Sequence, residues 1–251
     1  IIQTRTISDG VAGLLTRRLL RLPPQCVSAL RVLSIFGSSE VLAQALAHVN
    51  DVCGNSDMTA ELEQAIEEGL IEKTMDACST ETYSFCHDMI HQAVNESINP
   101  EQRQNMLVEI CKTLLERTAE DRADSMLFII VNLINRIGPK EVPAVDGVRY
   151  ANLNLVAGEK AMQTLDFASA STFFESGISF LGEECWLNNY NLSLHLVKNS
   201  ALVQYAQGNS DICKQRLDEV LDNAICFEDK LDSMNLMLRS LTMMGECMEK
   251  A

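Results

Sequence analysis

The sequence predicts a mainly α-helical chain, interrupted once by a small β-hairpin and ending in a helical repeat. Three observations carry this. Hydrophobic residues fill 47% of the 251 positions, with five prolines and 5% aromatics, a composition that favours folded helices over disorder. Apolar residues recur at three- and four-residue spacing along most of the chain, the period of one helix face. Between residues 70 and 86 that period gives way to two short apolar clusters around a polar loop, the pattern of paired strands.

Taken in order, residues 10–22 place Leu14, Leu15, Leu19 and Leu22 at helical spacing, and Pro23-Pro24 stop the run. A second helix over about 25–36 ends at Gly37, and Ser38 or Ser39 can cap a third that runs to about Val49. After a polar turn over 51–57, residues 59–68 form a fourth amphipathic helix closed by Gly69. Leu70-Ile-Glu-Lys-Thr-Met75 and Thr82-Tyr-Ser-Phe-Cys86 flank the polar loop 76–81 and read as a two-stranded hairpin. Helices followed by such a wing constitute a winged-helix module, assigned to residues 25–99. Residues 1–24 then read as a helical linker from an upstream domain, since the chain opens on Ile1 rather than Met.

Pro100 can open the next helix at its first turn, with Met106, Leu107, Ile110, Leu114 and Leu115 as its apolar stripe. A further apolar helix over 125–137 ends at Gly138-Pro139, so 100–138 are connecting helices. The segment 138–147 holds two prolines and two glycines and reads as a turn and flexible joint. Beyond it, over 148–251, lies a repeat. Gly158 and Ala161 come first, and Ala170, Phe174 and Gly177 follow at helical spacing. This is the tetratricopeptide pattern, in which small residues let two antiparallel helices approach and an aromatic fills the gap. Cys213, Leu217 and Val220 recur 43 residues later, with Gly208-Asn209 as the matching turn. The period exceeds the usual 34, which implies longer helices or a longer loop over 182–188. A third unit begins near Phe227 and is cut off at Ala251.

The net charge of −15 is unevenly spread. Residues 1–36 carry five arginines against Asp9, whereas residues 50–100 carry eleven acids against Lys73. A winged helix most often binds DNA, yet the helix that would enter a groove carries Glu61, Glu63, Glu67 and Glu68 with no Lys or Arg. Phosphate contacts by basic residues supply nonspecific DNA affinity, so nucleic acid is not an expected partner. Arg17, Arg18 and Arg21 read as a solvated face. The longest apolar run, 126–131, is far below the roughly twenty residues of a membrane span, so no membrane partner is expected. The nine cysteines are scattered without a C-x-x-C pair, as small buried hydrophobes are in a reducing compartment. The cytoplasm is the expected location, and the sequons at Asn95 and Asn191 are then chance matches.

His87 and His91 stand four apart on one helix face, a spacing that lets two imidazoles meet one ion. A zinc hydrolase of the His-Glu-x-x-His type needs a glutamate next to the first histidine and a third protein ligand. Here Asp88 replaces the glutamate, and neither His48 nor His195 lies in a third-ligand motif. Asp88 fits a helix N-terminus better, ahead of Ile90, Ala93, Val94 and Ile98. The chain contains no G-x-x-x-x-G-K-[ST], no H-R-D or D-F-G and no G-x-S-x-G. The sequence therefore assigns no catalytic, cofactor-binding or metal-ligating residue, and no cofactor.

Four segments carry a family resemblance. They are Leu22-Pro with Gln25, Ala29 and Phe36-Gly37; Phe85-Cys-His-Asp-Met-Ile-His-Gln-Ala-Val94 and on to Ile98; Ile130-Val-Asn-Leu-Ile-Asn-Arg136; and Asn152-Leu-Asn-Leu-Val-Ala-Gly-Glu-Lys-Ala161. In this order they resemble the region that follows the nucleotide-binding core in STAND-class, AAA-like ATPases of large sensor proteins. In those proteins a protein kinase often lies ahead, and GAF and histidine-kinase modules behind. The resemblance implies a winged helix and tetratricopeptide-like repeats that form a non-catalytic regulatory and protein-interaction region, with partner proteins or neighbouring domains of the same polypeptide as its contacts. An ATPase or kinase activity would belong to the full polypeptide. The rival readings are a DNA-binding regulator and a zinc hydrolase.

Overall fold

The computed structural model describes residues 17–19, 21–38, 40–53, 58–75, 80–118 and 124–249. The fold is mainly helical with one small three-stranded antiparallel sheet. The chain divides into two compact units, residues 1–133 and 134–251. Most of the helix expected over 10–22 lies outside the described residues, of which 17–19 are helical.

In the first unit, α1 (Pro24–Phe36) begins at Pro24, where the missing N–H is one the helix would leave unpaired anyway. Its Cys26, Ala29, Leu30 and Leu33, at one-face spacing, are fully buried. Strand β1 (Val41–Leu42) leads into α2 (Ala43–His48) and a 3-10 turn at Asn50–Cys53. The Asn50 carboxamide oxygen accepts from the Met58 amide at 2.8 Å, at the start of α3 (Met58–Glu67). That helix ends in a Schellman turn. The Leu70 amide donates to the Ala65 carbonyl and the Gly69 amide to that of Ile66, with Gly69 at φ +64°. Strands β2 (Ile71–Met75) and β3 (Glu81–Phe85) pair from Ile71 opposite Phe85 to Met75 opposite Glu81. Helices α4 (Asp88–Glu96), α5 (Pro100–Arg117) and α6 (Asp124–Ile137) follow, and the division between the units falls inside α6.

The sheet corrects two expectations. It has three strands in the order β1-β3-β2, because Val41 pairs with Tyr83 and Leu42 with Thr82. The helix expected from Ser38 or Ser39 to Val49 accordingly starts only at Ala43, after an extended Leu42. Two residues are too few to display a period of two, so tertiary pairing decides what local spacing does not.

In the second unit a 3-10 turn at Pro139–Glu141 precedes α7 (Ala144–Gln163) and α8 (Phe167–Leu181). A short helix α9 (Cys185–Asn188) leads to α10 (Tyr190–Ala206), α11 (Ser210–Asn223) and α12 (Phe227–Glu249). Helices α7 and α8 run antiparallel. Gly158 lies against Phe174, Ala151 against Gly177, and Gly147 against Phe180. Helices α10 and α11 do the same, with Ala201 among Cys213 and Leu217, and Leu194 and Val197 against Val220 and Ala224. Two loop expectations change here. Residues 182–188 contain α9, and 138–147 run into α7, so Gly147 is a buried helical residue and not a turn. A Cβ there would sit 2.7 Å from the Phe180 carbonyl oxygen, so this glycine serves close helix approach. Among the described residues no helix is long and apolar enough to cross a membrane.

Candidate functional site

The two histidines that first draw attention are used up locally. His87 is the N-cap of α4: its backbone is extended, and its Nδ1 accepts from the Met89 amide at 3.1 Å. That leaves the ring proton on Nε2. Asp88 stands in the first turn, where a carboxylate meets the positive end of the helix. His91 turns inward and packs its ring 5.2 Å from that of Phe85. Its Nε2 lies 3.2 Å from the Ser34 carbonyl oxygen and 2.8 Å from the Asn95 side-chain amide. His91 therefore joins α4 to the end of α1. Among the described residues, no group of three or more His, Cys, Asp or Glu side chains could hold a metal ion.

Three thiols have their pKa raised by their surroundings. Burial, with Glu61 and Glu68 nearby, pushes Cys26 up to about 11, and burial also raises Cys213. Cys86 is exposed at the end of the sheet, yet partial desolvation and Glu72 raise it as well. A thiolate nucleophile needs the opposite surroundings. On the acidic α3 Glu63 and Glu67 are exposed, as is Glu68 directly after it. Arg18 donates to the Glu68 backbone oxygen and lies 3.6 Å from its carboxylate, so part of the basic first segment turns back on the acidic helix.

A dense polar arrangement lies in the second unit, and the sequence gives little sign of it. The Arg216 guanidinium donates to both Glu175 carboxylate oxygens, and its Nη1 to Glu219 at 2.8 Å. Ser200 donates to Glu175 at 2.6 Å, and the Trp186 indole to Glu219 at 3.1 Å. Burial acts to lower the guanidinium pKa, but the bonds to Glu175 and Glu219 outweigh it and hold the group above its ordinary value. The bidentate guanidinium thus ties α11 to α8, and the Glu175 carboxylate it holds also accepts from Ser200 of α10. The only advance signal was a pair of opposite charges three apart, Arg216 and Glu219.

A second connection runs from α10 to α12. The Tyr190 hydroxyl donates to Asp229 at 2.6 Å and accepts from the Ile225 amide at 3.0 Å, and Lys198 pairs with Asp232 at 2.8 Å. Next to these contacts α10 and α12 line a groove of about 330 Å³ with Lys198, Asn199, Leu202, Asp232, Asn235 and Arg239. It mixes charges of both signs with amide and apolar surface, a lining suited to a peptide chain and lacking any nucleophile–base pair. No family model, curated protein or solved structure compared with this chain matches it.

Proposed function

We propose that this chain is a non-catalytic regulatory and protein-interaction region of a large signal-transducing ATPase or kinase. In this reading residues 25–99 form a winged-helix module and 148–251 a tetratricopeptide-like array. The observation that carries it is the repeated seam of the second unit. Gly158 with Phe174, and 43 residues on Ala201 with Leu217, close two successive antiparallel hairpins at matching positions. Stacked hairpins of this kind bury one face against each other and present the other to a partner. The acidic α3 supports a protein-facing role for the first unit, because its three glutamates, with Glu68 directly after them, would repel a polyanion.

The coding frame upstream of Ile1 tests the reading. It should encode a G-x-x-x-x-G-K-[ST] loop, and the ATPase module containing that loop, co-expressed with this chain, should elute with it as a stoichiometric complex. A frame without such a loop, or a saturable rise in the Tm of the isolated chain with millimolar ATP, would refute it, since a ligand that binds only the native state must stabilise that state.

A further inference from the structure

The groove between α10 and α12 holds polar groups that the packing around it does not use. Lys198 is spent on Asp232 at 2.8 Å, but the Arg239 guanidinium beside them is exposed and makes no ion pair among the described residues. Asn199 lines the groove from α10 and Asn235 from α12. The first donates only a long bond to Glu159, at 3.4 Å, and the second makes no side-chain bond among the described residues. Ser233 lines the same groove and is only 2% exposed, yet its hydroxyl reaches no partner, not even the carbonyl one turn back that helical serines can take. A buried hydroxyl left unpaired is rare in a folded protein and asks for a partner from outside the fold, a water or a ligand. The exposed apolar residues of α12, Phe227, Leu231, Met234 and Leu238, lie on another face of that helix. At 100° per residue, Asp232, Asn235 and Arg239 stand about a third of a turn away from them. Whatever covers that face, the groove is a separate surface.

These groups define a ligand by their chemistry. A guanidinium without an acid takes a carboxylate. A carboxamide both donates and accepts, which makes it the complement of a peptide unit. Leu202 and Leu236 add apolar surface beside them. Peptide groups within a helix have their bonds satisfied inside it, so the acidic helices of a second copy have nothing to offer Asn199, Asn235 and Ser233. An extended segment does. Resting on the reading of this chain as a protein-interaction region, we propose that the groove binds an extended, acidic segment of a partner protein. An Asp or Glu side chain of that segment meets Arg239, its backbone bonds Asn199 and Asn235, and a backbone carbonyl accepts from Ser233. Arg239 selects for charge, while the two amides and the hydroxyl select for an extended backbone.

The test presents the full chain with an array of short synthetic peptides, acetylated and amidated at their ends. Each carries one central Asp or Glu among randomised uncharged residues, and each has a twin with Asn or Gln at the centre. Binders should come from the acidic half, and fluorescence anisotropy of the best should show a preference of about tenfold or more over the twin, as a charged hydrogen bond gives. Arg239→Gln in the chain should abolish that preference. Ser233→Ala should weaken binding of both twins about threefold, the size of a neutral hydrogen bond, without lowering the Tm, because the hydroxyl it removes has no partner in the fold. Thermal melts check that both variants fold. Absence of acidic binders, a preference that survives Arg239→Gln, or affinity indifferent to Ser233→Ala overturns the proposal. So does binding that requires a free C-terminal carboxylate, or self-association of the chain that Arg239→Gln abolishes, which would give the groove to a second copy. Failure of peptide binding while the upstream ATPase module still co-elutes removes the groove alone. Loss of co-elution with peptide binding intact removes the link to an ATPase and leaves the groove.

Discussion

Helices α7 and α8 close on a glycine and a phenylalanine, whereas α10 and α11 close on an alanine and a leucine 43 residues further on. A Cβ on Gly158 would lie 2.7 Å from Cδ1 and Cζ of the fully buried Phe174 ring. In the second hairpin Ala201 and Leu217 share the same volume differently, and both are buried. The connections differ as well. Each first helix ends in a Schellman turn, with Asp166 bonded to Ala161 in one and Asn209 to Gln204 in the other. The left-handed position is Leu165 at φ +62° in the first turn and Gly208 at φ +78° in the second. One backbone plan is thus met by two sets of side chains. What is preserved is summed volume and turn geometry, not residue identity.

The largest effect should come from emptying the first seam. Phe174→Ala removes a fully buried aromatic and should cost about 3–5 kcal/mol in urea melts. Gly158→Ala overpacks the same place and should cost about 1–3 kcal/mol, as should Ala170→Leu. The sharper measurement is a double variant. Gly158→Ala with Phe174→Leu recreates the second hairpin's pair inside the first and should cost clearly less than the two single changes added together. Strict additivity would mean that the two seams are not equivalent.

These pairs also show what is legible in the sequence. The small and aromatic residues at 158, 161, 170, 174 and 177 declare helix contact because their spacing is local. The two strands at 70–86 are equally plain, since each is long enough to show its pattern. Strand β1 is not, because Val41 and Leu42 become a strand only by pairing with Tyr83 and Thr82 some forty residues away. Gly147 misleads for a related reason: near two prolines it reads as a turn, and only the Phe180 carbonyl across from it reveals a close-approach site. The histidines gave a local cue to metal that their hydrogen bonds to Met89, Ser34 and Asn95 reassign to helix capping and packing. The Arg216 network joins residues 175, 200, 216 and 219; the i,i+3 rule marks 216 with 219, but no spacing rule reaches the long-range partners 175 and 200.

That network is the next largest expected effect, and it sharpens the comparison because it locks the second hairpin onto α8 of the first. Arg216→Ala strips charge-assisted bonds from Glu175 and Glu219, and hydrogen bonds to charged groups are each worth about 1.5–3 kcal/mol. A loss within that range is expected in urea melts. Arg216→Lys should recover only part of it, because an ammonium cannot make the two-pronged contact with Glu175. Full recovery would reduce the network to simple charge pairing.

The turns predict changes of opposite sign. Leu165 is 73% exposed and buries little, while its left-handed backbone costs a non-glycine residue roughly 1–2 kcal/mol. Leu165→Gly should therefore stabilise the chain by up to about 1 kcal/mol, some of the relief being offset by the greater freedom of glycine in the unfolded chain. Gly208→Leu, the reverse change in the second turn, should destabilise by a similar amount. Equal signs in thermal melts would break the equivalence of the two turns.

The smallest expected difference lies in the caps that open the second helices. Asp166 accepts from the Ser169 amide at 3.1 Å, whereas Asn209 makes no side-chain cap to its own helix and turns its amide to Gln204. The bonds from Ser169 hold the Asp166 carboxyl below its ordinary range. Its folded pKa then lies below its unfolded one of about 3.9. The stability it contributes is complete above that unfolded value and disappears as pH falls through the lower, folded pKa. The first hairpin should accordingly carry a pH-dependent cap that the second lacks. Asp166→Asn, nearly as good a cap in itself, should leave the Tm at pH 7 almost unchanged and flatten its decline below about pH 4 relative to the parent. A decline of equal slope in both proteins would show that the acid sensitivity of the chain arises from carboxylates other than this cap.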